Sequence, residues 1–519
     1  MIRLKRTIPY VVVFITSMGI MIVELVASRI VSKYFGSSLY TWTGVIGIVL
    51  GGISLGNYLG GKLADRYSPK KTISLLLLIT SFFIFLILIL DSILDRIMSR
   101  GEFSIVTASM VLRSVINIFV LFFLPSTALG TISPVMAKYA LEGSSRVGNI
   151  VGSIYAIASI GSIIGTFLSG FVLIPLFGIK TIVFVIAITI ILLSLIVKGR
   201  RIVALVWICI IVLLFLFFYT AAFKGGPKIR RRTIGEVIFS KDSKYAYIEV
   251  RDKSHRGMKE RVLFMDGLIH NRYDPENPDN LVYDYEKIFS AFTKYFTHIT
   301  KKDEGLTTLT LGGGAFVFPS FLERHYQRSV NEVVEIDPEV VEVAHEYFDL
   351  PKDTTIHVYT CDARSYVYSI RDAAKYDLVF LDAFNSFSVP SHLTTKEFTE
   401  LIKGILNNPG YFVVNCVDIF KIGKFLNAYL NTLAEVFPYY YVYSASGVVS
   451  NRRDTFVIIA GNREIETNVL EDVGSSRVFL KVDHSELEAL AARNGSLVLT
   501  DDHAPVENLM APVFLKSVD

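Results

Sequence analysis

The sequence predicts a multi-pass α-helical membrane domain, then a small β-domain, then a Rossmann-like α/β domain. Three observations predict it. Apolar residues crowd the chain before Lys224, while ordinary globular composition follows. From Leu306 onward, strand-like and helix-like stretches alternate, as in a largely parallel sheet with helices on both faces. Within that alternation, Leu309-Thr310-Leu311 runs into Gly312-Gly313-Gly314, and Val333-Val334 ends in Glu335-Ile336-Asp337. Glycines at the first strand tip let backbone approach a bulky ligand, and an acid at the next tip can grip ribose hydroxyls.

The 519 residues are 52% hydrophobic and only 19% charged, which is too apolar for an average soluble protein. Stretches of the roughly 20 residues needed to cross a bilayer fall at 8–32, 40–62, 72–91, 105–130, 149–174, 179–197 and 202–223. Seven spans are therefore expected. The apolar run after Met1-Ile2-Arg3-Leu4-Lys5-Arg6 continues to about Ile30 without a small-residue cleavage site, so it reads as a span and not as a leader. Glycines recur at 44, 47, 60, 61, 152, 161, 165 and 170, spacings that let helices pack closely in lipid. Glu24, Arg29 and Arg113 lie within or beside spans, where charge is costly; interhelical pairing is the plainer reading, a polar solute pathway the sharper one. Gly61-Lys62-Leu63-Ala64-Asp65-Arg66 with Lys70-Lys71 resembles a cytoplasmic loop of major facilitator transporters, which makes the first six spans similar to half of one.

Basic residues at the amino terminus, 62–71, 138–146 and 198–201 place that terminus in the cytoplasm. Seven crossings would then put the rest outside. The basic run Lys228-Ile229-Arg230-Arg231-Arg232 and any nucleotide-type cofactor pull the other way, so a cytoplasmic soluble domain at the cell membrane is expected. Such a juxtamembrane run meets anionic lipid headgroups and not nucleic acid. Cys209, Cys361 and Cys416 are widely separated, so neither a metal site nor a disulfide framework is expected.

The predicted organisation is 1–223 helical bundle, 224–300 linker with small β-domain and connecting helix, and 301–519 α/β domain. Tyr245–Val250 and Arg261–Gly267 read as short strands, and 282–297 as an amphipathic helix. Further strands are expected at 307–311, 332–336, 355–360, 377–381, 411–416 and 455–460. Asp362 follows the third of these and Asp382 ends the fourth. One acid at a strand tip is usually a helix cap. Acids at successive tips beside a glycine turn point into one crevice and favour a cofactor site.

These motifs, in this order, resemble the spermidine synthases, aminopropyltransferases with an S-adenosylmethionine-type (methyltransferase-type) Rossmann fold. With the helices, nearly the whole chain is similar to membrane-fused spermidine synthase-like proteins, including the tail Leu499-Thr500-Asp501-Asp502-His503-Ala504-Pro505-Val506-Glu507. The resemblance implies a cofactor site of Gly312, Gly313, Gly314, Glu335, Asp337, Asp362 and Ala363 for decarboxylated S-adenosylmethionine. In it Glu335 binds the ribose and Asp362 the adenine amine. It makes Asp382 the catalytic carboxylate and puts the amine acceptor near His270, Asp284, Tyr285, Glu286 and Asn385. Expected partners are the lipid bilayer, a polyamine or other small amine, and a second copy of the chain.

The acceptor side departs from the family pattern. A second aspartate usual three residues after the catalytic one is here Asn385, and the glutamine usual after the Asp-Gly turn is His270. The Tyr-His-Glu-type segment is only partly matched by Tyr283-Asp284-Tyr285-Glu286. Losing a carboxylate weakens the site for a dication; Asp284, Glu286 or the tail acids are the candidate substitutes. Two other readings stay open: a methyltransferase using S-adenosylmethionine itself, and a transporter or sensor that binds polyamine without turnover.

Overall fold

The computed structural model describes residues 2–35, 39–99, 110–142, 144–197, 235–255, 258–302, 305–372, 375–383, 389–475 and 477–516. They form two compact units, Met1–Thr233 with Lys241–Ala246, and Ile234–Ser240 with Tyr247–Asp519.

In the first unit, six helices among the described residues are long and apolar enough to cross a membrane: Thr7–Ser32, Tyr40–Arg66, Thr72–Leu94, Ser114–Leu141, Val147–Leu173 and Ile179–Ile196. The seventh expected span and the basic run 228–232 lie outside the described residues, as does the side chain of Arg113. Glycine sets the closest approaches. A Cβ on Gly56 would stand 2.2 Å from the Thr127 carbonyl oxygen, so the second and fourth helices meet backbone to backbone there. Gly165 approaches the Met18 carbonyl in the same way. A cleft at one end of this unit is lined by Asn57, Asp65, Ser133, Lys138, Glu142 and Tyr155, with Lys138 and Asp65 paired at 3.2 Å.

A four-stranded sheet comes first in the second unit, in the order β1 (Glu236–Asp242, its last two residues counted with the first unit), β2 (Tyr247–His255), β3 (Met258–Met265) and β4 (Leu268–Tyr273), with β3 antiparallel to β2 and β4. Asp266 and Gly267, both at positive φ, make the tight β3–β4 turn. The helix Asp284–Thr300 follows and buries Ile288, Phe289, Phe292 and Phe296.

The main sheet has seven strands in the order β10-β11-β9-β8-β5-β6-β7. They are β5 (Thr307–Leu311), β6 (Val330–Glu335), β7 (His357–Thr360), β8 (Tyr376–Leu381), β9 (Leu406–Asp418), β10 (Tyr439–Ser444) and β11 (Asp454–Gly461). β5 to β9 are mutually parallel, whereas β11 runs antiparallel to both β9 and β10. β8 is buried along its length, and its side chains alternate between two cores. Leu378 and Phe380 meet Phe289 and Phe318, while Val379 and Leu381 meet Phe398 and Ile402. The chain order reverses between β5 and β8, whose carboxyl ends therefore open a crevice.

Candidate active site

The crevice is built around the turn after β5. Gly312 has φ +99°, and a Cβ there would lie 2.5 Å from the Asp382 carbonyl oxygen, so only glycine lets β5 and β8 end this close together. The Gly312 amide donates to the Val334 carbonyl at 2.8 Å, and the Asp382 amide to that of Leu311 at 2.9 Å. Three strand tips are thereby tied into one rim.

Glu335 folds its carboxylate onto that rim. Oε2 accepts from the Gly313 amide at 2.8 Å and, more weakly, from Gly314 at 3.4 Å; Oε1 accepts from Asp337 at 3.0 Å. Burial pushes its pKa up, against those backbone bonds. Asp337 is fully buried, and its carboxylate caps the helix Pro338–Tyr347 by accepting from the Glu339 amide at 3.1 Å. Aspartate before a first-turn proline suits a cap, so the geometry corrects the expected ligand role of Asp337: it holds the turn that holds Glu335.

Asp362 divides its two oxygens. Oδ1 caps the helix Ala363–Ile370 through the Ser365 amide at 2.8 Å, and Oδ2 meets His392 Nε2 at 3.0 Å. Burial raises its pKa, but the Ser365 and His392 bonds outweigh burial and leave it below the usual carboxylate range. Ala363, the first residue of that helix, is buried beneath it. The tail does not join the acceptor side. Asp501 pairs with Arg364, whose guanidinium also donates to the His392 carbonyl at 3.0 Å. Asp501 therefore braces the β7 tip and does not replace a lost acceptor carboxylate.

Asp382 lies half-buried on the same rim. Tyr285, on the first turn of the helix Asp284–Thr300, donates to Oδ2 at 2.9 Å, and Asn415 on β9 donates its Nδ2 to Oδ1 at 2.8 Å. Burial pushes the carboxyl up to about 6 despite both bonds. Beside it, Glu286 is 1% exposed and accepts from Asn271 Nδ2 at 3.0 Å. Burial, then the nearby charge of Asp382, push Glu286 up to about 8. Three buried oxygens here, Glu286 Oε2, Asn271 Oδ1 and Asn415 Oδ1, have no hydrogen-bond partner among the described residues. The two amide oxygens left open in this way call for a donor from outside. His270, next to Asn271 on β4, is lowered to about 4 by burial of its ring, so it is neutral at physiological pH. Asn385 lies outside the described residues.

Asn271, His392 and Asn415 were not singled out from the sequence. Asn271 follows the Asp-Gly turn by four residues and Asn415 sits near the end of an apolar strand, positions where an amide is easily read as surface or core polarity.

Residues 291–466 match the family model described as the spermine/spermidine synthase domain. The carboxyl-terminal part of the chain carries that domain. Over 152 residues, 29% of the chain, it is 35% identical to a polyamine aminopropyltransferase of Vibrio vulnificus (strain CMCP6), covering 49% of that protein. Over 287 residues, 52% of the chain, it is 27% identical to a probable polyamine aminopropyl transferase of Bifidobacterium longum (strain NCC 2705), covering 61%. Over 155 residues, 28% of the chain, it is 28% identical to an eEF1A lysine and N-terminal methyltransferase of Mus musculus, covering 22%. The chain thus spans about half to three fifths of the length of the two aminopropyltransferases.

Proposed function

We propose that the carboxyl-terminal unit is an aminopropyltransferase. It moves the aminopropyl group of decarboxylated S-adenosylmethionine to an amine acceptor, and the amino-terminal helices hold it at the membrane. One observation carries the choice of chemistry: the crevice holds two carboxyls, half-buried Asp382 and buried Glu286, beside the open amide oxygens of Asn271 and Asn415. That lining suits ligands rich in N–H donors. It disfavours the carboxylate that distinguishes S-adenosylmethionine from its decarboxylated form, because like charges in a buried site repel strongly.

The donor supplies a carbon bonded to a positively charged sulfur, which leaves as a neutral thioether. Glu335, with oxygen lone pairs beyond its backbone bonds, would hold the ribose hydroxyls, and Asp362 the adenine amine. Asp382 takes a proton from the acceptor ammonium, freeing the lone pair that forms the new C–N bond as the C–S pair retreats onto sulfur. Tyr285 and Asn415 keep that carboxylate oriented, and an Asp382 tuned to about 6 is ionised yet still basic near neutral pH. The unit is assigned to the cytoplasmic side, where nucleotide-type cofactors are plentiful.

Calorimetry on the purified full-length protein tests the donor. Decarboxylated S-adenosylmethionine is expected to bind at least about tenfold more tightly than S-adenosylmethionine, the affinity equivalent of ~1.4 kcal/mol. Tighter binding of the carboxylated form would move the reading to a methyltransferase.

A further inference from the structure

On the aminopropyltransferase reading, we infer that the acceptor carries a single ammonium, and that Arg477 is the specificity-determining residue that excludes a second one. The inference rests on where the remaining charge of the acceptor side is held. Asp284 is the acid next to Tyr285 on the helix turn that reaches Asp382, and it is the natural anchor for a distal ammonium. Its Oδ1 is already taken by the Arg477 guanidinium at 2.6 Å, with Lys287 at 3.4 Å.

Arg477 is a fixture at that position. Its other terminal nitrogen donates to the Ala445 carbonyl at 2.7 Å, and its guanidinium sits 5.1 Å from the Phe479 ring centre. Ala445 follows β10, whose end lies on the same edge of the sheet as the ends of the parallel strands, since β10 and β9 both run antiparallel to β11. Arg477 is thus delivered to the reacting edge from a segment beyond residues 291–466.

The nearby aromatic path ends in an ion pair, Arg272 with Glu260 at 3.5 Å. Arg272 lies 5.5 Å from the Tyr283 ring centre, Tyr283 packs on Tyr285 at 5.4 Å between ring centres, and Tyr285 bonds Asp382. An approaching dication therefore meets, at both flanks, a carboxylate already paired with a guanidinium.

Other acids on this edge are committed among the described residues. Asp418 accepts from the amides of Ile419 and Leu426, and Asp454 from the hydroxyls of Ser444 and Ser446. The segment 384–388, Phe-Asn-Ser-Phe-Ser, contains no acid. Asp382 and Glu286 remain, and together they match the one ammonium that must sit at the reacting carbon.

The test compares amines of equal carbon chain, 1-aminobutane against 1,4-diaminobutane, with decarboxylated S-adenosylmethionine and the full-length protein. Wild type is expected to have the higher kcat/KM for the monoamine. Arg477→Gln is expected to shift the ratio toward the diamine by about tenfold, the scale of one well-placed charge pair (~1.4 kcal/mol). Adding Asp284→Asn to that variant should reverse the shift, a reversal that a merely loosened fold would not produce. Retained donor affinity in each variant reports an intact site. A wild type that prefers the diamine, or a ratio unmoved in an active R477Q, overturns the inference and leaves the aminopropyltransferase reading standing. No transfer from wild type to any amine removes that reading and the inference with it.

Discussion

Tyr285 and Asp382, 97 residues apart in the chain, share a 2.9 Å hydrogen bond that joins the connecting helix to the tip of β8. The phenol is itself buried and its pKa is raised well above 10, so it acts as a donor throughout the physiological range. It favours the ionised form of Asp382 against the burial that pushes that carboxyl up.

Tyr285→Phe removes that donor. The acid limb of the kcat/KM profile, set in the wild type by Asp382 near 6, is expected to move to higher pH, with activity at neutral pH falling about tenfold. A pH–rate series on both proteins checks this. An unmoved limb would assign the profile to another group.

Asp382→Asn keeps the shape but removes the base. Turnover is expected to fall by about 10² to 10⁴, the usual range for a general base, while donor affinity stays close to wild type. Single-turnover kinetics beside equilibrium binding separate the two effects. A normal rate in this variant would favour the binding-only reading, in which a transporter or sensor works without catalysis.

Glu286 gives the fold a pH dependence with a definite sign. Folded, it keeps its proton up to about 8; unfolded, it releases it near the ordinary 4.5. The folded state therefore binds more protons between those values, and stability falls as pH rises from about 4.5 to about 8. Asp382 acts in the same direction between 3.8 and about 6. In Glu286→Gln the slope above pH 6 should flatten, and the melting temperature at pH 8 should rise by roughly a few degrees. Melting curves at pH 6 and 8 decide it, and an equally steep wild-type and mutant slope would count against the assignment.

Gly312→Ala places a methyl 2.5 Å from the Asp382 carbonyl oxygen at φ +99°. Backbone strain of about 1–3 kcal/mol is expected before the clash is added, with β5 and β8 forced apart. Donor affinity and thermal stability should drop together. Loss of neither would mean the rim tolerates a side chain there.

Much of this architecture was legible. Strong period-2 and continuous apolar runs marked β5, β6, β8, β9 and β11 to within a few residues, and Gly312–Gly314 marked the turn where the strands converge. β10 was missed although Tyr439-Tyr440-Tyr441-Val442-Tyr443 is rich in strand formers, because a tyrosine run shows no clean alternation. The antiparallel direction of β11 was equally hidden, since strand direction follows from long-range pairing and leaves no local mark. At the site, acids at strand tips were visible, but their division of labour was not. Asp337 and Glu335 stand two residues apart with the same chemistry; only the fold shows that one caps a helix while the other faces the glycine rim. The neutralisation of Asp284 by Arg477, 193 residues away, has no local signature at all.

The central claim is tested most directly by incubating the full-length protein with each sulfonium donor and a panel of primary amines, then identifying products by mass spectrometry. Aminopropylated amine and the matching thioether, 5′-methylthioadenosine, formed in equal amounts from the decarboxylated donor alone, is the predicted result. Methylated product from S-adenosylmethionine, or no thioether from either donor, would contradict it.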